Sequence, residues 1–152
     1  MKLLLPALCL LLAACSNDQG MGNDLAATAA QQGGEPMRPG VRPVRIGEGG
    51  PGFQACAYTA RVVNVGSTEQ PTLPVRQAPF QEADVVLQLP NDARLFACSR
   101  SIDQRWQGVV VPPADAPDTD CGVRAPVASA RDYDGPCRSG WVASAFVRLT
   151  AN

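Results

Sequence analysis

The chain has 152 residues, with 13 Lys and Arg side chains against 14 Asp and Glu, and the net charge of −1 gives no electrostatic basis for a nucleic-acid partner. Histidine is absent, which excludes Ser-His and Cys-His nucleophilic sites and every zinc site that needs imidazole. The 14 Gly and 14 Pro residues exceed average usage, whereas aromatic residues make up only 5%. These numbers predict one turn-rich domain built from β-strands.

The first residues have the pattern of an export signal. Lys2 is followed by an apolar run at residues 3–14 and then by Cys15. As a helix this run would be about 18 Å long, short of the roughly 30 Å hydrocarbon core of a bilayer. Residues 1–14 are therefore predicted to be a signal peptide.

Residues 12–15, Leu-Ala-Ala-Cys, resemble the lipobox of bacterial lipoproteins at all four motif positions. The resemblance implies that cleavage leaves Cys15 as the first residue, linked to diacylglycerol and usually N-acylated, and several acyl chains make a stable anchor. In that family an Asp after the cysteine favours the inner membrane. Ser16 stands there, so the resemblance implies the outer membrane, facing the periplasm. The alternative is an ordinary signal peptide with an incidental cysteine.

Residues 15–52 are predicted to be the lipidated cysteine and a flexible tether. They hold several Gly and Pro pairs and few large apolar residues, among them Leu25 and Ile46, and so cannot bury enough surface to offset the entropy of ordering. A flexible chain of this length reaches roughly 30–36 Å, which holds a domain clear of the membrane. The alternative for the Ala-rich residues 24–32 is a short helix.

Residues 53–152 are predicted to be the folded domain. Their apolar residues come in short runs, separated by Gly, Pro and Asn-Asp steps typical of turns. The runs lie at residues 58–65, 73–75, 85–89, 95–97, 109–111, 141–142 and 146–147. They predict an all-β fold, a small barrel of five to seven strands.

The cysteines predict two disulfides. Cys9 lies in the signal peptide and Cys15 carries the lipid, so an even number remains in an exported domain. The remaining cysteines are Cys56, Cys98, Cys121 and Cys137. Of three connectivities we favour Cys121–Cys137, because it closes a segment rich in Pro and Asp, and this leaves Cys56–Cys98. A tetrathiolate zinc site is the disfavoured alternative, since no Cys-x₂-Cys pair occurs.

Several segments resemble bacterial SH3 (SH3b) domains. Residues 73–79 (Leu-Pro-Val-Arg-Gln-Ala-Pro) are similar to that family's Leu-Asn-Val-Arg strand and loop, and residues 87–94 to the strand and turn that follow. Residues 140–146 are similar to its closing Gly-Trp-Val-x-x-x-Tyr/Phe motif. The resemblance covers about residues 57–149. It implies an SH3-like barrel whose closing strand enters a 3₁₀ turn before a last short strand.

The chain departs from the SH3b pattern at residues 112–138, where a long segment replaces a short connection. A loop of that length in a compact domain is usually functional or disordered, and the expected disulfide Cys121–Cys137 favours an ordered one. The resemblance also places Trp141 in the core.

Four residues are candidates for ligand binding. Trp106, Tyr133 and Tyr58 are predicted to line an aromatic groove that binds extended peptides or sugars. Arg105 would pair with a carboxylate of the ligand, as would Arg100 and Arg138. The alternatives are that Trp106 packs in the core and that the arginines are merely solvated.

Five aspartates invite a calcium or glycosidase hypothesis, but their spacing matches neither an EF-hand loop nor a known carboxylate pair. These are Asp115, Asp118, Asp120, Asp132 and Asp134. We therefore expect no metal, no cofactor and no enzymatic activity.

The sequence favours a lipid-anchored periplasmic SH3-like binding module that contacts peptidoglycan or an envelope peptide or protein. The alternative is a non-catalytic assembly or scaffold subunit of an envelope complex, which docks through the disulfide-closed loop within residues 112–138. Both functions imply that the protein associates with the membrane and does not bind nucleic acid.

Overall fold

The structure is a computed structural model that describes residues 40–150. The predicted signal peptide, the lipid attachment at Cys15, residues 16–39 of the predicted tether and residues 151–152 lie outside the described residues. Residues 40–150 contain nine β-strands and one 3₁₀ turn, which confirms the predicted all-β fold class. In this part of the chain no helix is long and apolar enough to cross a membrane.

The strands are short, as the short apolar runs predict. They are β1 (Arg45–Ile46), β2 (Tyr58–Val62), β3 (Leu73–Arg76), β4 (Val85–Leu89), β5 (Arg94–Arg100), β6 (Trp106–Val111), β7 (Arg131–Asp132), β8 (Arg138–Ala143) and β9 (Val147–Thr150), with the 3₁₀ turn at Ser144–Phe146. The strand predicted for residues 58–65 ends at Val62, because Asn64 adopts a left-handed conformation (φ 60°) that extended backbone cannot accommodate.

Seven strands form one antiparallel sheet in the order β4-β3-β8-β6-β5-β2-β9, and β1 pairs with β7 in a separate two-stranded ribbon. β4 and β9 are therefore the ends of the hydrogen-bonded order. The 3₁₀ turn directly follows β8 and leads into β9, which is the arrangement expected from the resemblance of residues 140–146 to the SH3b closing motif.

Alternate residues of the sheet build a first core on one face. In β6, Val109 and Val111 point to this face and Val110 points to the other. The first core consists of Ala60, Val62, Leu73, Val75, Leu89, Leu95, Ala97, Val109, Val111 and Val142. Burial of each Val or Leu contributes about 1.5–3 kcal/mol, so this cluster is a main source of stability.

A second core covers the opposite face of the sheet. It consists of Ile46, Ala55, Cys56, Phe96, Val110, Cys121, Val123 and Cys137. Phe96 and Val110 reach it from the sheet, and most of the others come from the N-terminal residues and the long loop of residues 112–137. A strand buried on both faces has a continuous apolar run, which explains why residues 109–111 are all Val.

The N-terminal residues of the described chain pack on this second face. Val44 and Ile46 are each only 1% exposed, and the backbone N–H of Tyr133 donates to the oxygen of Val44 at 2.8 Å. Gly108 permits this approach, since a Cβ there would lie 3.2 Å from a methyl of Val44. The prediction that the tether extends to residue 52 is therefore wrong for residues 44–46, because the sheet provides an apolar face that receives them.

Both predicted disulfides are present, Cys56–Cys98 and Cys121–Cys137. Cys56–Cys98 links the segment before β2 to β5, and Cys121–Cys137 closes the long loop. All four cysteines lie in or against the second core. The loop is thus an ordered cover for the sheet, and Trp141, at 2% exposed, is buried as predicted.

Candidate functional site

A groove of about 570 Å³ lies where β4 ends, β5 begins and β6 passes into the long loop. Leu87 and Leu89 of β4 and Val111 of β6 contribute apolar side chains to its lining. The long loop contributes proline residues, and two arginines also line the groove. The proline and arginine residues are Pro112, Pro113, Pro117, Pro136, Arg94 and Arg138.

The loop side of the groove is rigid for reasons present in the sequence. Each proline has a fixed φ angle, so it loses little conformational freedom when a ligand binds. Pro136 directly precedes Cys137, whose disulfide to Cys121 holds the end of the loop. A backbone hydrogen bond from Ala116 to the oxygen of Pro113 fixes the turn at its start. These features favour a groove that changes little when a ligand binds.

Two guanidinium groups give the groove its charge. Arg94 lies 3.8 Å from the carboxylate of Asp118 (Nη1 to Oδ1) and 5.9 Å from the centre of the Phe96 ring. Arg138 is exposed and forms no ion pair within residues 40–150. An apolar channel with two arginines suits an extended chain that carries a carboxylate, because guanidinium groups bind carboxylates with two parallel hydrogen bonds.

The structure places the predicted aromatic residues apart. Tyr58 shares the face of β2 that carries Ala60 and Val62, and so lies on the side of the first core. Trp106 shares the face of β6 that carries Val110, on the side of the second core. Tyr58 and Trp106 therefore lie on opposite faces of the sheet, and the expectation that they line one groove is wrong because of this strand alternation.

Tyr133 has a structural role in the long loop. It packs against the second core, its hydroxyl donates to the oxygen of Cys121 at 3.0 Å, and the N–H of Cys137 donates to that hydroxyl at 3.0 Å. The tyrosine thus ties together the two ends of the disulfide-closed segment. Burial raises the pKa of the Tyr133 hydroxyl above its ordinary value of 10.0, so the hydroxyl stays protonated to a higher pH than that of an exposed tyrosine.

Arg105 lies in the turn between β5 and β6. Its backbone N–H donates to Asp103 at 3.2 Å, and its oxygen accepts a hydrogen bond from Ser144 at 2.9 Å. The hydroxyl of Ser101 also donates to Asp103, and these hydrogen bonds hold the pKa of the Asp103 carboxyl below its ordinary value of 3.8. The Arg105 side chain is exposed and does not line the 570 Å³ groove.

Sequence reasoning missed the groove because it treated the prolines of the long segment only as loop formers. The signal was present in the prolines at 112, 113 and 117, since clustered prolines form stiff apolar surfaces. Arg138, a predicted carboxylate partner, lines the groove, whereas Arg100 lines a separate depression beside Tyr58. No group of three or more potential metal ligands occurs among the described residues.

The fold and the groove define a disulfide-stabilised all-β domain with an apolar surface groove. No protein-family model matches the chain, and no curated protein or solved structure is significantly similar to it.

Proposed function

We propose that this protein is a lipid-anchored binding module of the bacterial cell envelope, with an SH3-like barrel that faces the periplasm from the outer membrane. Its ligand is an extended peptide, either the peptide part of peptidoglycan or a segment of an envelope protein. The lipobox resemblance of residues 12–15 supports the anchor. The two disulfides are consistent with an oxidising compartment.

The observation that carries the proposal is the groove between β4 and the proline-containing loop. Its Leu, Val and Pro side chains offer apolar contacts, and Arg94 and Arg138 offer charged hydrogen bonds. β4 is an edge strand that pairs with β3 alone among the described strands. An extended peptide beside Leu87 and Leu89 therefore finds apolar contacts for its side chains and a strand edge for its backbone.

Co-sedimentation with insoluble peptidoglycan tests this function. The lipid-free protein from Ser16 to Asn152, with its disulfides intact, is expected to be retained at low salt. Arg138→Gln should lower retention, because it removes the groove arginine that has no ion pair within residues 40–150. Arg148→Gln is the matched control, since Arg148 is an exposed arginine on β9, at the other end of the sheet order.

Three outcomes separate the candidate sites. Loss of retention in Arg138→Gln but not in Arg148→Gln supports the groove. Loss in Trp106→Ala alone moves the site to the opposite end of β6. Equal retention of the wild type and all variants overturns the groove as the binding site, and no retention of the wild type refutes a peptidoglycan peptide as the ligand.

A scaffold or assembly subunit is the second candidate, and the ordered loop of residues 112–137 favours it. Deleting this loop is an unsuitable test, because Cys121, Val123 and Cys137 belong to the second core. Crosslinking from the exposed Ala114, which lines the groove, should instead capture a partner protein. A matched site at exposed Gln81, on the β3–β4 connection, is the control.

A further inference from the structure

The two side chains of the ion pair at the groove differ in their exposure to solvent. The side chain of Asp118 is 98% exposed, whereas that of Arg94 is 35% exposed, and their charged atoms lie 3.8 Å apart. The carboxylate is thus almost fully hydrated, and the guanidinium is partly shielded. An ion pair this exposed changes the equilibrium constant for folding by only about one- to fivefold, because solvent screens the two charges.

Arg94 keeps its place for reasons independent of Asp118. Its backbone pairs with Arg61 of β2, and its guanidinium lies 5.9 Å from the centre of the Phe96 ring. Phe96 is buried in the second core, so the ring is a fixed support for the cation. These contacts do not involve Asp118, so we expect the arginine to stay at the groove when Asp118 moves away.

Asp118 is presented by a turn of the long loop. The N–H and the hydroxyl of Thr119 both donate to the oxygen of Ala116, at 3.0 and 2.7 Å. Pro117, the residue before Asp118, itself lines the groove. This turn holds a carboxylate at the groove rim, beside a guanidinium that a ligand would meet.

We propose that the ion pair of Asp118 with Arg94 takes the place of a ligand carboxylate in the free protein, and that the groove selects acidic peptides. This inference rests on the proposed function of the groove as a peptide site. A ligand carboxylate displaces Asp118 from Arg94, and Arg138, which lines the same groove and forms no ion pair within residues 40–150, offers a second positive charge to an acidic peptide. A hydrated and weakly held carboxylate is easily displaced, so Asp118 lowers the affinity for acidic peptides without blocking the apolar channel.

Two fluorescent peptides test the selectivity: an acetylated heptamer of sequence Ala-Val-Glu-Ala-Val-Glu-Ala with an amidated end, and the same peptide with Gln for Glu. We expect tighter binding of the Glu peptide at low salt and a smaller preference at high salt. Asp118→Asn should tighten binding of the Glu peptide by up to about fivefold, the upper end of the range for an exposed ion pair, and leave binding of the Gln peptide unchanged. Arg94→Gln should remove most of the preference.

Asp115→Asn is the matched control, because Asp115 is an exposed carboxylate of the same loop that forms no ion pair within residues 40–150. Equal effects of Asp118→Asn and Asp115→Asn would show only a change in net charge and would overturn the inference. If both peptides bind equally and Arg138→Gln loses retention on peptidoglycan, the inference is overturned and the proposed function stands. Failure of both peptides and of peptidoglycan to bind overturns both.

Discussion

The indole N–H of Trp141 donates a 2.7 Å hydrogen bond to the backbone oxygen of Arg42, 99 positions earlier in the chain. The guanidinium of Arg42 in turn lies 5.3 Å from the centre of the Trp141 ring. The N–H of Arg42 donates to Gln77, beyond β3. These contacts attach the N-terminal segment to the sheet before the chain reaches β1.

The first prediction tests whether this segment is part of the domain. Ile46→Ala should lower the free energy of unfolding by about 2–5 kcal/mol, because it leaves a cavity in the second core. Val41→Ala, at a position 70% exposed, should change it by less than about 0.5 kcal/mol. Urea unfolding measures both changes, and equal stability of the two variants would indicate that the segment belongs to the tether and not to the domain.

Disulfide removal should have a graded effect on stability. Cys121 and Cys137 are 16 positions apart, and Cys56 and Cys98 are 42 apart. On the chain-entropy model, replacing the first pair by Ser costs about 3 kcal/mol and replacing the second costs about 4 kcal/mol. Urea unfolding of the two double variants checks this order, and a neutral effect of either would contradict it.

The disulfides and strands could be predicted because their signals are local or countable. An even number of cysteines and a segment rich in Pro and Asp between Cys121 and Cys137 predict the pairing, and turn residues separate the strands. The second core could not be predicted in the same way. Its contributors from the N-terminal segment, such as Ile46, are isolated apolar residues among Gly and Pro, and the surface that receives them exists only after the sheet has formed.

The groove could be predicted only in part. Arg138 was a candidate carboxylate partner from its position near the stapled loop, and it does line the groove. Arg94 was not a candidate, because its place depends on the Phe96 ring and on the return of the loop from residue 112 to residue 118. Strand alternation would have separated Tyr58 from Trp106, but only once the register of β2, β5 and β6 was known.

Tyr133→Phe distinguishes a structural tyrosine from a ligand-binding one. The variant loses the hydrogen bonds with Cys121 and Cys137 and should be less stable by about 1–3 kcal/mol. Retention on peptidoglycan below the unfolding transition should not change. A loss of retention with unchanged stability would instead assign Tyr133 to ligand binding.

Tyr133 should also make the stability of the domain fall at alkaline pH. Burial raises the folded-state pKa of Tyr133 above 10.0, so its contribution to stability is complete below the unfolded pKa and is lost as the pH rises through the folded value. The wild type should therefore lose more stability than Tyr133→Phe at alkaline pH. Urea unfolding from neutral to alkaline pH measures the loss of stability in each protein, and an equal loss in the wild type and in Tyr133→Phe would contradict the prediction.

Gly140→Ala should disturb the contact between β8 and β3. A Cβ at Gly140 would lie 2.6 Å from a methyl of Val75 and 2.7 Å from the backbone oxygen of Arg76. The backbone cannot move aside cheaply, so the expected cost is about 1–3 kcal/mol. Gly52→Ala is the control, because nothing lies within 4 Å of a Cβ there. Similar thermal unfolding of both variants would show that β3 and β8 can separate without loss.

The turn between β5 and β6 should respond to acid through Asp103. Hydrogen bonds from Ser101 and from the N–H of Arg105 lower the pKa of this carboxyl below 3.8. A depressed pKa contributes stability above the unfolded value, and that contribution is lost as the pH falls through the folded one. Ser101→Ala should raise the pKa of Asp103 toward 3.8, as measured by NMR titration of the side-chain carboxyl.

Ser101 also accepts a hydrogen bond from the N–H of Trp106 at 3.0 Å, so Ser101→Ala lowers stability at every pH. The titration separates this general loss from the effect on Asp103, because it reports on the carboxyl in the folded protein. Ser101→Thr keeps the hydroxyl and is expected to keep the low pKa. An unchanged pKa in Ser101→Ala would contradict this prediction and assign the shift to Arg105, whose backbone N–H and positive charge both lower the pKa of Asp103.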